Sequence, residues 1–160
     1  RAARARPGRP LMIVRPVEAA DLEAWRPLWD GYNAFYERSG EAAPAEDVTS
    51  VTWQRFLDPD EPMWALVAED EGRLVGLVHY LFHRSTTRVE MVCYLRDLFT
   101  LESERGKGVG RALIQAVSDR SLEVGVDSVY WQTHETNAAG RRLYDSIGAN
   151  EGFIVYSLDR

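Results

Sequence analysis

The spacing of apolar residues changes several times along this chain, and each change marks an element. Leu11 to Arg15 (LMIVR) is a short apolar run that predicts a first strand. From about Ala20 to Tyr36, the residues Leu22, Trp25, Leu28, Trp29, Tyr32 and Phe35 or Tyr36 recur at the spacing of one helix face. Asp21 is placed to cap that helix. RSGEAAPAED, residues 38–47, is a loop by composition, and Thr49 to Leu57 reads as a second short helix closed by DPDEP. Three strand-like segments follow: MWALVAED (63–70), GRLVGLVHYLFHR (72–84) and VEMVCYLRDLFTL (89–101). EDEG turns the first into the second, and RSTT at 84–87 turns the second into the third.

Val109, Ala112, Leu113, Ala116, Val117 and Val124 then mark one face of a long helix, with Gly125 in the position just past its end. VDSVYWQTH predicts a strand, AAGRRLYDSIGA a helix ending at Gly148, and FIVYSLD a closing strand. The order β-α-α-β-β-β-α-β-α-β predicts one α/β (α+β) domain. Its central mixed sheet has about six to seven strands, flanked by about four helices. That domain runs from Met12 to Arg160. The preceding RAARARPGRPL holds four Arg, two Pro and no acid, and reads as a disordered leader or vector remnant.

Composition narrows the function. A hydrophobic share of 45% and a charged share of 28% are those of a globular domain. No apolar run approaches the roughly 20 residues of a membrane helix, so no membrane partner is expected. The single Cys93 cannot form an internal disulfide and fits a reducing cytoplasm; its apolar strand makes it a core residue. Residues 12–71 hold fourteen acids against four Arg, while 72–160 hold eleven charges of each sign. The acidic balance of the first half repels nucleic acid and attracts cations, or is a solvated face. His79 and His83 stand four residues apart on a strand, about 13 Å at ~3.3 Å per residue. No metal site is expected.

Within this acidic chain stands SERGKGVGRALI, residues 103–114, with Gly106, Gly108 and Gly110 interleaved with Lys107 and Arg111. A helix N-terminus offers unpaired N–H groups and partial positive charge to a phosphate, and glycines let an anion approach the backbone. A nucleoside-triphosphate loop needs a hydroxyl after Gly-Lys, where this chain has Gly108. A dinucleotide loop needs G-x-G-x-x-G after the first strand, and both spacing and position fail here.

What remains is R-x-x-G-x-G (Arg105, Gly108, Gly110) shortly after LRDLFT. YLRDLFTLESERGKGVGRALI resembles motif A of the GCN5-related N-acetyltransferase (GNAT) superfamily, which holds the pyrophosphate of acetyl-CoA. YWQTHETNAAGRRLYDSIGA resembles the strand and helix that follow it, and YLRDLFT, YWQTHETN and RRLYD are most similar to the diamine/polyamine and histone acetyltransferase-like branch. The resemblance implies a single GNAT-like domain that moves an acetyl group from acetyl-CoA to a primary amine by direct attack. It implies that the backbone of Leu98, Phe99 and Thr100 pairs with the pantetheine arm, with Leu98 N–H aimed at the thioester oxygen. It further implies that Arg105, Gly106, Lys107, Gly108, Val109, Gly110 and Arg111 hold the pyrophosphate, and that Asn137 contacts the pantetheine.

Tyr144 is the implied acid for the leaving thiolate; on spacing alone, Leu143, Tyr144 and Ile147 equally form a core stripe. An aliphatic ammonium, with a pKa of ~10.4, must lose a proton before it attacks. Asp97 is a candidate base or ammonium anchor, or a structural partner of Arg96 or Arg88. His134, Glu135 and a water relay are the other candidate bases. Arg96 stands where the branch commonly carries an acid, which argues against a polyamine. Trp25, Trp29, Tyr32 and Tyr36, with Glu37, Glu41, Glu46 and Asp47, are either an aromatic, negative acceptor wall or core and solvated face. A small cationic amine is the leading acceptor. An amino acid, a protein or peptide amine, and an idle acyl-CoA-binding module are the alternatives. The resemblance also implies a homodimer, with the last strand as the place of contact.

Overall fold

A computed structural model describes residues 12–160, so the leader expected at 1–11 lies outside the described residues. The elements are β1 (Ile13–Pro16), α1 (Leu22–Phe35), α2 (Glu46–Leu57), β2 (Met63–Asp70), β3 (Arg73–His83), β4 (Val92–Thr100), α3 (Val109–Glu123), β5 (Val129–Trp131) and α4 (Ala138–Ile147). The sheet runs β1-β2-β3-β4-β5, antiparallel except for the parallel β4–β5 pair.

Strands β2 and β3 are buried on both faces, which is why they read as continuous apolar runs. Ala65, Val67, Leu74 and Leu77 face Trp25, Leu28, Trp29 and Trp53 from α1 and α2. Leu66, Ala68, Val75 and Val78 face Val109, Leu113 and Val117 from α3, together with Cys93 and Val126. At the β2–β3 hairpin Glu71 and Gly72 both have positive φ (52° and 77°), as a two-residue turn matching strand twist requires. Gly76 marks where α3 lies closest to the sheet. A Cβ there would stand 2.9 Å from Val109 Cγ1 and 3.0 Å from the Phe99 carbonyl oxygen.

Four expectations change. Helix α2 begins at Glu46 and not Thr49, with Glu46 and Asp47 as favourable first-turn acids. Asp21 does not cap α1 with its side chain. Its carboxylate accepts Glu18 N–H and pairs with Arg15 at 2.7 Å. β5 is only three residues long, because the chain leaves β4 after Trp131. FIVYSLD forms no strand, so the described sheet has five strands and not six to seven. Strand-favouring side chains satisfy half of a strand's requirements; the other half is a neighbouring backbone, and this segment has none among the described residues. No helix among the described residues is long and apolar enough to cross a membrane.

Candidate active site in the β4–β5 cleft

Strand β4 is paired with β5 only at Cys93, Tyr94 and Leu95. Beyond that point it stays on β3 alone, through Asp97, Leu98, Phe99 and Thr100. Leu101 N–H bonds the carbonyl of Val75, a core residue of β3, and so continues the ladder past Thr100. Alternation along the strand therefore turns Phe99 N–H toward β3 and the Leu98 and Thr100 amides toward the open edge. Thr100 C=O, also on that side, accepts Arg105 Nε–H at 3.3 Å. The cleft thus presents a line of unpaired strand backbone, a template for an extended ligand.

At the mouth of the cleft stands the N-terminus of α3. Gly106 and Gly108 have φ of 76° and 87°, a left-handed backbone that favours glycine, and nothing lies within 4 Å of where a Cβ would be. No side chain caps this helix and no acid lies in its first turn, so its leading N–H groups remain available. Gly110 is small for a different reason: a Cβ would meet Leu143 of α4 at 3.1 Å. The cations here are partly committed. Lys107 Nζ pairs with Glu104 at 3.0 Å, Arg111 donates to Ser146 Oγ at 2.8 Å, and Arg105 lies over the Phe35 and Phe99 rings. The cradle fits a pyrophosphate through its backbone first and these side chains second.

Tyr144 lies on α4 with its ring edge-on to Trp131, at 5.6 Å between centroids, where β4 and β5 part. Burial, and then the neighbouring Tyr36, push its phenol up to about 12. It holds its proton throughout the neutral range, as a general acid must. Asn137, expected on the pantetheine, is the N-cap of α4: its Oδ1 accepts Gly140 N–H at 3.1 Å and its Nδ2 donates to Thr133 Oγ1 at 3.0 Å. The spacing TNAAG carried that signal and was legible. His134 and Glu135 lie exposed in the preceding turn, with His134 Nδ1 at 2.7 Å from Thr136 Oγ1.

The group that sequence reading missed is His79. It lies opposite Asp97 across β3–β4 and is 2% exposed. Trp25 Nε1–H, which can only donate, bonds His79 Nε2 at 3.1 Å. The ring proton is therefore on Nδ1, which donates to Asp97 Oδ2 at 3.0 Å. Burial would raise the Asp97 pKa, but His79 first, and then Tyr32 and Arg96, more than offset it and hold the carboxyl below its ordinary range. Asp97 is consequently an anion with poor basicity. Arg96 is the unpaired residue of a β-bulge between the Leu95–Tyr80 and Asp97–His79 pairs, and its Nη1 lies 3.9 Å from Asp97 Oδ1.

Of the two readings of the aromatic, acidic set, the core reading holds for part of it. Trp25 and Trp29 are core residues, and Glu46 is committed to Arg26 at 2.6 Å. Tyr32, 5% exposed, is a core residue as well, and Tyr36 packs half-buried against it, with the Arg38 guanidinium 5.5 and 5.3 Å from their ring centroids.

Residues 25–149 match the Acetyltransferase (GNAT) family. The D-amino-acid N-acetyltransferase HPA3 of Saccharomyces cerevisiae is 37% identical over 147 residues, covering 91% of this chain and 89% of that protein. The uncharacterized N-acetyltransferase YhfO of Bacillus subtilis is 29% identical over 150 residues, 92% of this chain and 97% of its own. Among solved structures, the aminoglycoside N-acetyltransferase AAC(6')-Iy in complex with CoA superimposes with a TM-score of 0.80 at 20% identity, covering 98% of both chains, a likeness of fold. The splayed sheet, the glycine-lined helix terminus and the match over most of the chain agree: this protein belongs to the GNAT family of acetyltransferases.

Proposed function

We propose that this protein acetylates the primary amine of a small molecule of the amino-acid class, by direct attack on acetyl-CoA in a ternary complex. As a GNAT acetyltransferase it is an acetyl-CoA-dependent N-acetyltransferase. The observation that carries the reading is the one-sided edge of β4 ending at the uncapped, glycine-lined start of α3. Leu98, Phe99 and Thr100 take the pantetheine as an added strand, with Leu98 N–H on the thioester oxygen as negative charge develops there. Gly106, Gly108, Val109, Gly110 and Arg111 give amides to the pyrophosphate, and Arg105 and Lys107 add charge around it. Tyr144 returns a proton to the departing thiolate. Asn137 serves by fixing the start of α4, and so the place of Tyr144. Asp97, held as an anion, anchors the acceptor ammonium, whose proton leaves through water.

An amino-acid acceptor replaces the small cationic amine for two reasons. The relative from yeast is named for D-amino acids, and Arg96 and Arg38 add positive charge where a polyamine would need acid. The test is thiol release from acetyl-CoA against amino acids, spermidine, diamines, aminoglycosides and a basic peptide. Turnover confined to amino acids, falling about 100-fold or more in Tyr144→Phe, supports the reading. Coenzyme A binding without turnover of any amine refutes it and favours an idle acyl-CoA-binding module.

A homodimer forms part of the proposal. Phe153, Ile154, Val155, Tyr156 and Leu158 are exposed in a segment of strand-favouring residues. The outer edge of β5 is open beside a hollow of about 330 Å3 bounded by Val129, Trp131, Ile147 and Gly148. The segment from a second copy is the occupant we assign to that edge.

A further inference from the structure

We infer that Arg38 and Arg96 form a carboxylate subsite beside Asp97, so that the acceptor is held by both charges of an α-amino acid. The inference rests on the proposed transferase function and names what selects its acceptor.

Arg38 is placed by a costly turn. Helix α1 ends with Glu37 N–H on the Ala34 carbonyl at 3.0 Å and Arg38 N–H on the Asn33 carbonyl at 2.8 Å, the paired bonds of a Schellman end. The residue between the last turn and Arg38 is Glu37, at φ 60°, in a left-handed conformation that glycine would adopt without strain. Asn33, 2% exposed, then fixes the side chain. It donates through Nδ2 to the Trp29 carbonyl and accepts Arg38 Nε–H on Oδ1 at 2.9 Å. The guanidinium is thereby clamped on its Nε side over the Tyr32 and Tyr36 rings. Its Nη groups make no ion pair among the described residues, although Glu37 and Glu41 are close in sequence.

Arg96, which also donates to the Tyr94 hydroxyl, acts electrostatically on the same tyrosine from the sheet. As the unpaired residue of the β4 bulge it is released from the ladder, and its side chain is 58% exposed. Its only carboxylate contact among the described residues is the loose 3.9 Å approach to Asp97. Two guanidinium groups therefore flank Tyr32, and the one buried anion beside them is already bonded to His79. A guanidinium fork matches a carboxylate in shape and charge. An ammonium one carbon away from that carboxylate then falls toward Asp97, adjacent to Arg96 in the chain. Neither a polyamine nor an aminoglycoside satisfies two guanidinium groups.

The test compares free amino acids of both configurations with their carboxamides in steady-state thiol release, using wild type, Arg38→Gln, Arg38→Lys and Arg96→Gln. Each variant's melting temperature is measured alongside. An α-amine beside an uncharged group has a pKa of only ~8, so the amide is the better nucleophile at neutral pH and a preference for the acid cannot come from basicity. Wild type should prefer the acid by about 10- to 100-fold in kcat/KM, mainly through KM. That ratio should collapse toward one in Arg38→Gln and recover in part in Arg38→Lys, which keeps the charge but loses the fork. If Arg38→Gln fails to fold, Arg96→Gln, changed on an exposed bulge, supplies the same ratio. Equal turnover of acid and amide by wild type overturns the subsite and leaves the transferase reading standing. So does a preference that persists in both glutamine variants. No turnover of any amine overturns both.

Discussion

Replacing Asp97 with Asn sets two buried-charge effects against each other. Its carboxylate is 12% exposed and accepts the Nδ1–H of a histidine that is 2% exposed. Burial of the charge favours the neutral amide, which would stabilise the variant. The hydrogen bond opposes this: a bond to a charged acceptor contributes about 1.5–3 kcal/mol against about 0.5–1.5 for a neutral one. The lowered pKa of Asp97 decides the sign, because it means the folded protein prefers the anion despite burial. Asp97→Asn should therefore lose about 1 kcal/mol at pH 7, near 2–4 °C in melting temperature for a domain of this size. A carboxyl depressed by folding stabilises above its unfolded pKa of ~3.9, and that stability is lost as pH falls through the lower folded value. The gap between wild type and variant should thus be constant from pH 7 to about 5, then begin to narrow near pH 4. Urea unfolding followed by tryptophan fluorescence is the assay, since Trp25 is bonded to His79 itself. A variant as stable as wild type at pH 7, or a gap that is unchanged on acidification, refutes the reasoning.

Three further outcomes are expected. Gly76→Ala forces a methyl against Val109, Leu113 and the Phe99 carbonyl, so it should cost about 1–3 kcal/mol by denaturant titration and weaken coenzyme A binding measured by calorimetry. Because Tyr144 titrates only near about 12, the alkaline side of the kcat profile should show no loss assignable to it below about pH 11; a fall near pH 10 that vanishes in Tyr144→Phe would contradict this. Phe153→Asp combined with Tyr156→Asp should shift the protein from dimer to monomer in analytical ultracentrifugation, and a monomeric wild type would remove the dimer from the proposal.

Legibility in the sequence followed the range of the interaction. Helices α1 and α3 were readable from their apolar periods and strands β2 and β3 from their continuous apolar runs, because both patterns are local consequences of which faces are buried. The glycine loop was readable because Gly106 and Gly108 answer to their own backbone angles. Asn137 was read as a ligand contact without its N-cap role, although an Asn three residues ahead of the Gly140 amide is an N-cap pattern. FIVYSLD carries a strand's β-branched and aromatic composition, but a strand is a property of two backbones and composition describes one.

The network around Asp97 was illegible for a deeper reason. His79 in GLVHYLF looks like any histidine in a buried strand, and it meets Asp97, eighteen residues later, only through the register of β3 on β4. That register shifts by one residue at the bulge, and without the bulge every side chain from Asp97 onward would face the other way. The same shift releases Arg96 toward Tyr32 and leaves the Leu98 and Thr100 amides on the open edge, so one extra residue aligns the anion, the guanidinium and the amides together. Deleting Arg96 would join Leu95 to Asp97 in the register they already hold against Tyr80 and His79, so the deletion, like Arg96→Gln, should leave the thioester site intact and alter which amine it accepts.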